Sequence, residues 1–168
     1  DVEREQVVRG DWIVAPALDR STGRLDAMLR LVATMEGPLA HWTPVHLHLG
    51  AEDVSARVML LEGEPIAPGG QALVQLELDR PIGALHDDRF ILRDISAQRS
   101  LGGARVLDIF PPTRHKRAVE HLAYLRALEA DDPRPALALA LARHPAGLAL
   151  ARFALNRNLD ATQAQALW

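Results

Sequence analysis

The chain contains no cysteine, which excludes disulfide bridges, thiolate metal sites and a cysteine nucleophile. Lysine is nearly absent too: of 19 Lys+Arg residues, Lys116 is the single lysine. A phosphate-binding P-loop is a glycine-rich turn ending in lysine. Lys116 sits instead in Thr113-Arg114-His115-Lys116-Arg117, with no glycine nearby, so nucleotide binding through that motif is excluded. Long apolar runs are also missing. Arg143, His144 and Arg152 interrupt the Ala/Leu-rich tail, and no stretch of about 18 apolar residues reads as a membrane span. No basic-then-apolar segment of the signal-peptide type opens the chain. A cytoplasmic location without a membrane partner is the expectation. Asp1 is not an initiator methionine and Trp168 falls inside an apparently helical stretch, as expected of a piece of a longer protein.

What is present is a core-forming composition. The 168 residues are 48% apolar and 24% charged, which fits one ordinary domain or two small ones and not a disordered chain. From Leu25 to Ile109 the apolar period is two. Short runs cover 25–32, 45–49, 54–61, 72–78, 89–93 and 104–109. Val45, Leu47 and Leu49 point one way and His46 and His48 the other; Gln75 and Glu77 alternate with Val74, Leu76 and Leu78. Turn chemistry lies at Pro68-Gly69-Gly70, Arg80-Pro81-Ile82-Gly83 and Leu101-Gly102-Gly103. Six short strands predict a small barrel or sandwich, because such a sheet must hide its edges.

From Ala118 onward the period becomes helical, and alanine and leucine supply 26 of the last 51 residues. Val119, Leu122, Leu125 and Leu128 form one stripe; Pro133 and Pro135 suit the start of a second helix. Pro145-Ala146-Gly147 leads into a helix over 148–155, 156–158 reads as a turn, and Asp160 is placed to cap a last helix running to Trp168. Short helices joined by tight turns predict a helix-turn-helix or winged-helix kind of module. Val7–Val14 reads as a terminal strand of an upstream unit.

The net charge of −3 hides an asymmetry. Residues 1–88 carry 7 basic and 15 acidic side chains, whereas residues 89–117 carry Arg89, Arg93, Arg99, Arg105, Arg114, Lys116 and Arg117 against Asp94 and Asp108. An arginine-rich segment is commonly a solvated face. Its sharper reading is a phosphate-facing patch, since guanidinium forks match phosphate oxygens and stay charged. The Gly102-Gly103 pair would let a backbone approach closely. His41, His46 and His48 have a spacing that offers two ligands from one strand face, but a metal site needs a third ligand and an outer shell. Solvated strand histidines are the commoner arrangement, so no metal is expected. Ser21, Ser55, Ser96 and Ser100 lack the glycine pattern of a nucleophile elbow, and Asp87-Asp88 and Asp131-Asp132 read as turn and helix-start residues. No catalytic centre is expected within this chain.

The run Asp88-Arg89-Phe90-Ile91-Leu92-Arg93-Asp94-Ile95-Ser96-Ala97-Gln98-Arg99-Ser100-Leu101-Gly102-Gly103-Ala104-Arg105-Val106-Leu107-Asp108 resembles the last strands of the third domain of elongation factor Tu-type translational GTPases. With Arg-Asp-Ile-Ser-Ala before the glycine pair and Pro111-Pro112 plus a basic run after it, the form is similar to the bacterial selenocysteine-specific elongation factor family. Three further pieces agree in order: 9–16 (from Arg9-Gly10-Asp11-Trp12 to Pro16), His41-Trp42-Thr43-Pro44-Val45-His46-Leu47-His48, and 54–62 (Val54 to Glu62). The resemblance continues into Tyr124-Leu125-Arg126 and the Asp160-Ala161 turn.

The resemblance implies a six-stranded antiparallel β-barrel of the elongation factor Tu domain III kind, followed by a truncated all-α, winged-helix-like domain. It divides the chain into the end of a second domain (1–17), the barrel (18–113) and the start of the helical region (114–168). The implied partners are selenocysteinyl-tRNA, the ribosome, an mRNA hairpin reached by later domains, and the GTPase domain of the same chain. GTP and Mg2+ are implied for the whole protein and no cofactor for this part. The matching strand implies tRNA-backbone positions at Arg93 and Asp94, with Arg99 and Gly102 in the following loop and Arg89, Arg105, Arg114, Lys116 and Arg117 as a surrounding basic patch. The rival readings are another elongation factor Tu-like GTPase and a DNA-binding regulator with a helix-turn-helix tail. The regulator predicts a basic recognition helix, and residues 160–168 contain no basic side chain.

Overall fold

The structure, a computed structural model, describes residues 10–63, 65–143 and 148–167. Six strands, β1 (Ser21–Leu31), β2 (Thr43–Leu49), β3 (Glu52–Leu60), β4 (Gln71–Gly83), β5 (Arg89–Asp94) and β6 (Ser100–Asp108), close a barrel in the ring order β1-β4-β3-β2-β5-β6, with β6 returning to β1. Every pair is antiparallel. The alternation explains the closure. Leu25, Ala27, Leu29 and Leu31 of β1 point inward, as do Val45, Leu47 and Leu49 of β2 and Phe90 and Leu92 of β5. Each fully buried leucine contributes about 2 kcal/mol of transfer free energy, and closing the ring leaves no exposed ladder edge.

Two segments expected to turn are strand instead. Arg80-Pro81-Ile82-Gly83 ends β4, pairing Ile82 with Thr22 and Gly83 with Ser21 beyond a bulge in β4. Leu78–Pro81 are the extra residues opposite the single Gly23, so the missing N–H of Pro81 costs no ladder bond to β1. Leu101-Gly102-Gly103 lies inside β6, where it pairs with both β5 and β1. The strand expected over Val7–Val14 falls partly outside the described residues, and Gly10–Val14 carry no strand pairing. A closed barrel offers them no free edge. The Pro145–Gly147 turn and Trp168 also lie outside the described residues.

Four helices follow: α1 (Val119–Leu128), α2 (Arg134–Arg143), α3 (Leu150–Asn156) and α4 (Ala161–Gln165). Asp160 caps α4 as expected, in a capping box with Gln163. The expected stripe on α1 is rotated. Val119 is 77% exposed, and the buried face is His121, Tyr124, Leu125 and Leu128. A stripe drawn through aliphatic residues alone passes over the polar side chains that this face buries.

That face does not close on helices alone. Leu125, Leu128, Leu137 and Phe153 share an apolar cluster with Leu61, Leu73 and Leu107, which belong to the barrel. Leu73 and Leu107 lie on the outer side of β4 and β6, so the helices cover the β4-β1-β6 side of the ring. Most polar groups buried under that cover are paired, Gln75 Oε1 and Arg157 Nε excepted. Asp26, facing outward on β1, accepts from Gln75 Nε2 at 2.8 Å and bonds His121 Nε2 at 2.7 Å. Arg143 Nη1 lies 3.2 Å from His121 Nδ1. Arginine only donates, so Nδ1 accepts and the Nε2–H of His121 faces Asp26. Asn156 accepts from the Ile109 N–H at 2.9 Å and donates to the Leu107 carbonyl at 3.2 Å, so the residue expected in a turn ties α3 to β6. Arg157 donates to the carbonyls of Leu128, Ala130 and Asp131 and to His86. His86 in turn donates from Nδ1 to the Leu107 carbonyl. Burial, and then Arg157, push the His86 imidazole below its usual range.

Asp108 is the register neighbour of Asp26, and burial next to that carboxylate lifts its carboxyl to about 6. The folded chain therefore holds this proton more tightly than the unfolded chain does. Stability contributed by Asp108 rises as pH falls from about 7 to about 4, by up to about 3 kcal/mol. His86 works in the opposite sense: its contribution is lost as pH falls below the ordinary histidine range. Asp108→Asn keeps an oxygen for the Phe110 N–H and removes only the first effect. The variant should melt higher than the parent at pH 7.5, with the gap closing by about pH 4. A gap that is independent of pH would refute the assignment.

Candidate nucleic-acid interface

The seven cations of residues 89–117 fall into two groups. Arg99 pairs with Glu36 at 2.7 Å in full exposure, and Arg105 bridges Asp87 at 2.9 Å and the Glu129 carbonyl at 3.1 Å. Lys116 reaches Met59 Sδ at 3.6 Å; Arg117 donates to the Leu60 carbonyl and to His41 Nδ1. Arg89, Arg93 and Arg114 have no hydrogen bond or ion pair among the described residues. Arg89 and Arg93 are both on the outer face of β5, with Ile91 between them 51% exposed. Four residues along a strand separate the two guanidinium stems by about 13 Å. The Nε of Arg93 is buried and unpartnered, so the stem is packed while the head has no partner among the described residues.

Asp94 serves the loop between β5 and β6. Its carboxylate accepts from the Gln98 N–H at 2.8 Å, the Arg99 N–H at 2.9 Å and the Ser96 hydroxyl at 2.7 Å. The Arg99 N–H above all, then Ser96, holds this exposed carboxyl below its usual range. Ala97, at φ 52°, completes the tight reversal. Gly102 is buried against β1: a Cβ there would stand 2.4 Å from the Arg30 carbonyl oxygen. Its requirement for glycine is met by packing between strands.

That close approach exposes a residue the sequence reading missed. Gly103 pairs with Ile91 on one side and with Arg30 on the other. Arg30 faces outward, exposed and without a hydrogen-bond or ionic partner among the described residues. Arg30, Arg89 and Arg93 thus surround a side-chain-free floor at Gly103. The alternation of β1 marks Arg30 as outward, but only the ring order brings β1 next to β6. On the other flank, His46 is the register partner of Arg93 and His48 of Ile91. His46 Nδ1 lies 3.0 Å from Asp53 Oδ1, and His48 Nε2 4.0 Å from the same oxygen. Among the described residues no group of three or more His, Asp or Glu is arranged to hold a metal ion. Asp87 meets Arg105 at a left-handed turn, and the Asp88 carboxylate accepts from the Leu85 N–H at 2.8 Å, as turn residues do.

A closed six-stranded antiparallel barrel with helices behind it is a translation-factor barrel of the elongation factor Tu domain III kind. Residues 26–113 match the family model described as selenocysteine-specific elongation factor, beta-barrel domain, and the chain belongs to that family. Proteins named selenocysteine-specific elongation factor are similar along most of the chain. That of Escherichia coli (strain K12) is 38% identical over 161 residues, 95% of this chain and 24% of the relative. That of Haemophilus influenzae (strain ATCC 51907 / DSM 11121 / KW20 / Rd) is 33% identical over 76% of this chain and 20% of its own length. That of Desulfomicrobium baculatum is 26% identical over 78% and 21%. The chain therefore spans about a quarter or less of these relatives. Within the described residues no helix is long and apolar enough to cross a membrane.

The packing of Gly102 gives a direct test. Gly102→Ala puts a methyl against backbone and should destabilise the barrel by about 1–3 kcal/mol. At Gly103 the nearest atom to an added Cβ is the Phe90 carbonyl oxygen at 3.9 Å, so Gly103→Ala should leave the melting temperature nearly unchanged. Equal melting temperatures for the two variants would contradict the seam described above.

Proposed function

We propose that this chain is the barrel and first helical part of a GTP-dependent elongation factor that delivers selenocysteinyl-tRNA to the ribosome at UGA codons. The observation that carries the reading is the trio Arg30, Arg89 and Arg93, charged, outward and without partners among the described residues, on a barrel of this family. In this reading the partners are the tRNA, the ribosome, an mRNA hairpin held by other domains and the GTPase domain of the same protein. The location is the cytoplasm.

The chemistry is recognition of an A-form stem by shape and phosphate. The deep groove of RNA hides its bases, so forked guanidinium donors meet phosphates and 2′-hydroxyls. Arg93 is the central contact, with its stem fixed by packing and its head free. Asp94 acts by shaping the loop that ends at Arg99, whose pairing with Glu36 must open if Arg99 is to reach phosphate. Gly102 and Gly103 keep the floor low. GTP and Mg2+ in the whole factor would supply the switch between tRNA-holding and tRNA-releasing states. This chain has no glycine-rich loop ending in lysine to hold them.

In the full-length factor, Arg93→Ala should weaken tRNA binding and lower the log–log salt slope by about 0.7–0.9 while GTP affinity stays constant. Arg30→Ala should do the same. Unchanged tRNA affinity and slope in both variants would refute the contact assignment.

A further inference from the structure

Trp42 stands apart from the arginine trio. It precedes β2 with φ 70°, the left-handed region that a bulky side chain rarely adopts. The conformation is held locally: the Trp42 N–H donates to the Val58 carbonyl at 2.7 Å, and the Thr43 hydroxyl to the Ala40 carbonyl at 2.7 Å. The result is an indole 41% exposed on the outer surface. Such strain is costly, and so is leaving a large apolar ring in water. Neither improves the packing of the barrel.

The surroundings are cationic. The Arg57 guanidinium, exposed on β3 and without a hydrogen bond among the described residues, lies 5.9 Å from the indole centroid. The His41 ring is 6.0 Å away, and its Nδ1 accepts from both the Leu60 N–H and Arg117, so its Nε2–H is left to donate. Lys116 is beside Met59, two residues along the strand from Arg57. Glu77 is opposite Arg57 in register and makes no bond to it. The patch continues the arginine surface, because Pro44 pairs with Arg57 and His46, two residues on, pairs with Arg93.

We propose that Trp42 and Arg57 form a stacking platform for an unpaired nucleotide of a bound RNA. The inference rests on the RNA-binding reading above and adds a contact of a different kind. A stem offers phosphates and sugars but hides its base faces, whereas an unstacked base offers a π-face to an aromatic ring and a guanidinium plane. A flat ring among cations on the same face as Arg93 matches that occupant.

Glycine is at ease at φ 70°, so Trp42→Gly relieves strain while removing the platform. In the full-length factor this variant should melt no lower than the parent and bind a short unstructured oligouridylate about ten-fold more weakly. Its salt slope should be unchanged, and its affinity for a blunt RNA duplex intact. Arg57→Ala leaves the backbone at Trp42 alone and should weaken oligouridylate binding several-fold without a change in melting. Oligouridylate binding equal to the parent in both variants would overturn the platform, and so would an equal loss on the duplex. Failure of the platform with Arg93→Ala still weakening tRNA binding leaves the stem-binding reading standing. The reverse pattern removes that reading and leaves the platform.

Discussion

The seam between β1 and β6 is the constraint on which this molecule rests. Gly102 lies so close to the Arg30 carbonyl that no side chain fits there. That approach lets β6 pair with β1 and the sheet end as a ring. Without it β1 and β6 would both be open edges, with unpaired backbone groups and apolar inner faces in water. The same contact assembles the outer surface. It brings Arg30 beside Gly103 and, across one strand, beside Ile91, Arg89 and Arg93. Closure and the arginine surface therefore have one cause.

The other end of the seam decides how the helices attach. Asp26 and Asp108 meet there on the outer side of the ring, where solvent would normally hydrate them. Covering them with α1 and α3 requires partners for each polar group, because an unpaired buried charge is strongly destabilising. Gln75 and His121 partner Asp26, the Phe110 N–H partners Asp108, and Asn156 and Arg157 bond the backbone groups and His86 beside them. The helices thereby share a core with the barrel through Leu61, Leu73 and Leu107. Covering the β4-β1-β6 side with helices leaves the outer faces of β2, β3 and β5 open. Those faces carry Arg89, Arg93 and, just before β2, Trp42, while Arg30 lies at the Gly103 end of β1, away from the covered Asp26–Asp108 end.

Much of this was legible in the sequence, for identifiable reasons. Strict alternation over Val45–Leu49 and Val74–Leu78 marked the strands and their inner faces, and Asp160 announced the cap of α4. Long-range pairing is what local pattern could not carry. Gly102-Gly103 and Pro81-Ile82-Gly83 have turn composition, yet they are strand because a neighbour two or more strands away in sequence needs small residues or a bulge at that point. The inner face of α1 was misdrawn because His121 and Tyr124 are polar by type and buried by their partners. Arg93 is proposed as a site from its resemblance to a family strand. Arg30 was missed because no motif surrounds it, and only the ring order reveals its neighbours. Arg105 and Arg117, read as part of a basic patch, turn out to hold α1 and the barrel end in place.

In the proposed reading the outer face of β5, β6 and the end of β1 is where this barrel meets RNA. Amide hydrogen exchange of the full-length factor, with and without selenocysteinyl-tRNA in the GTP state, measures this most directly. Slowed exchange is expected over 28–31 and 89–103, with exchange in α1 to α3 unchanged. Slowing confined to the helices, with 89–103 exchanging as in the free protein, would contradict that reading.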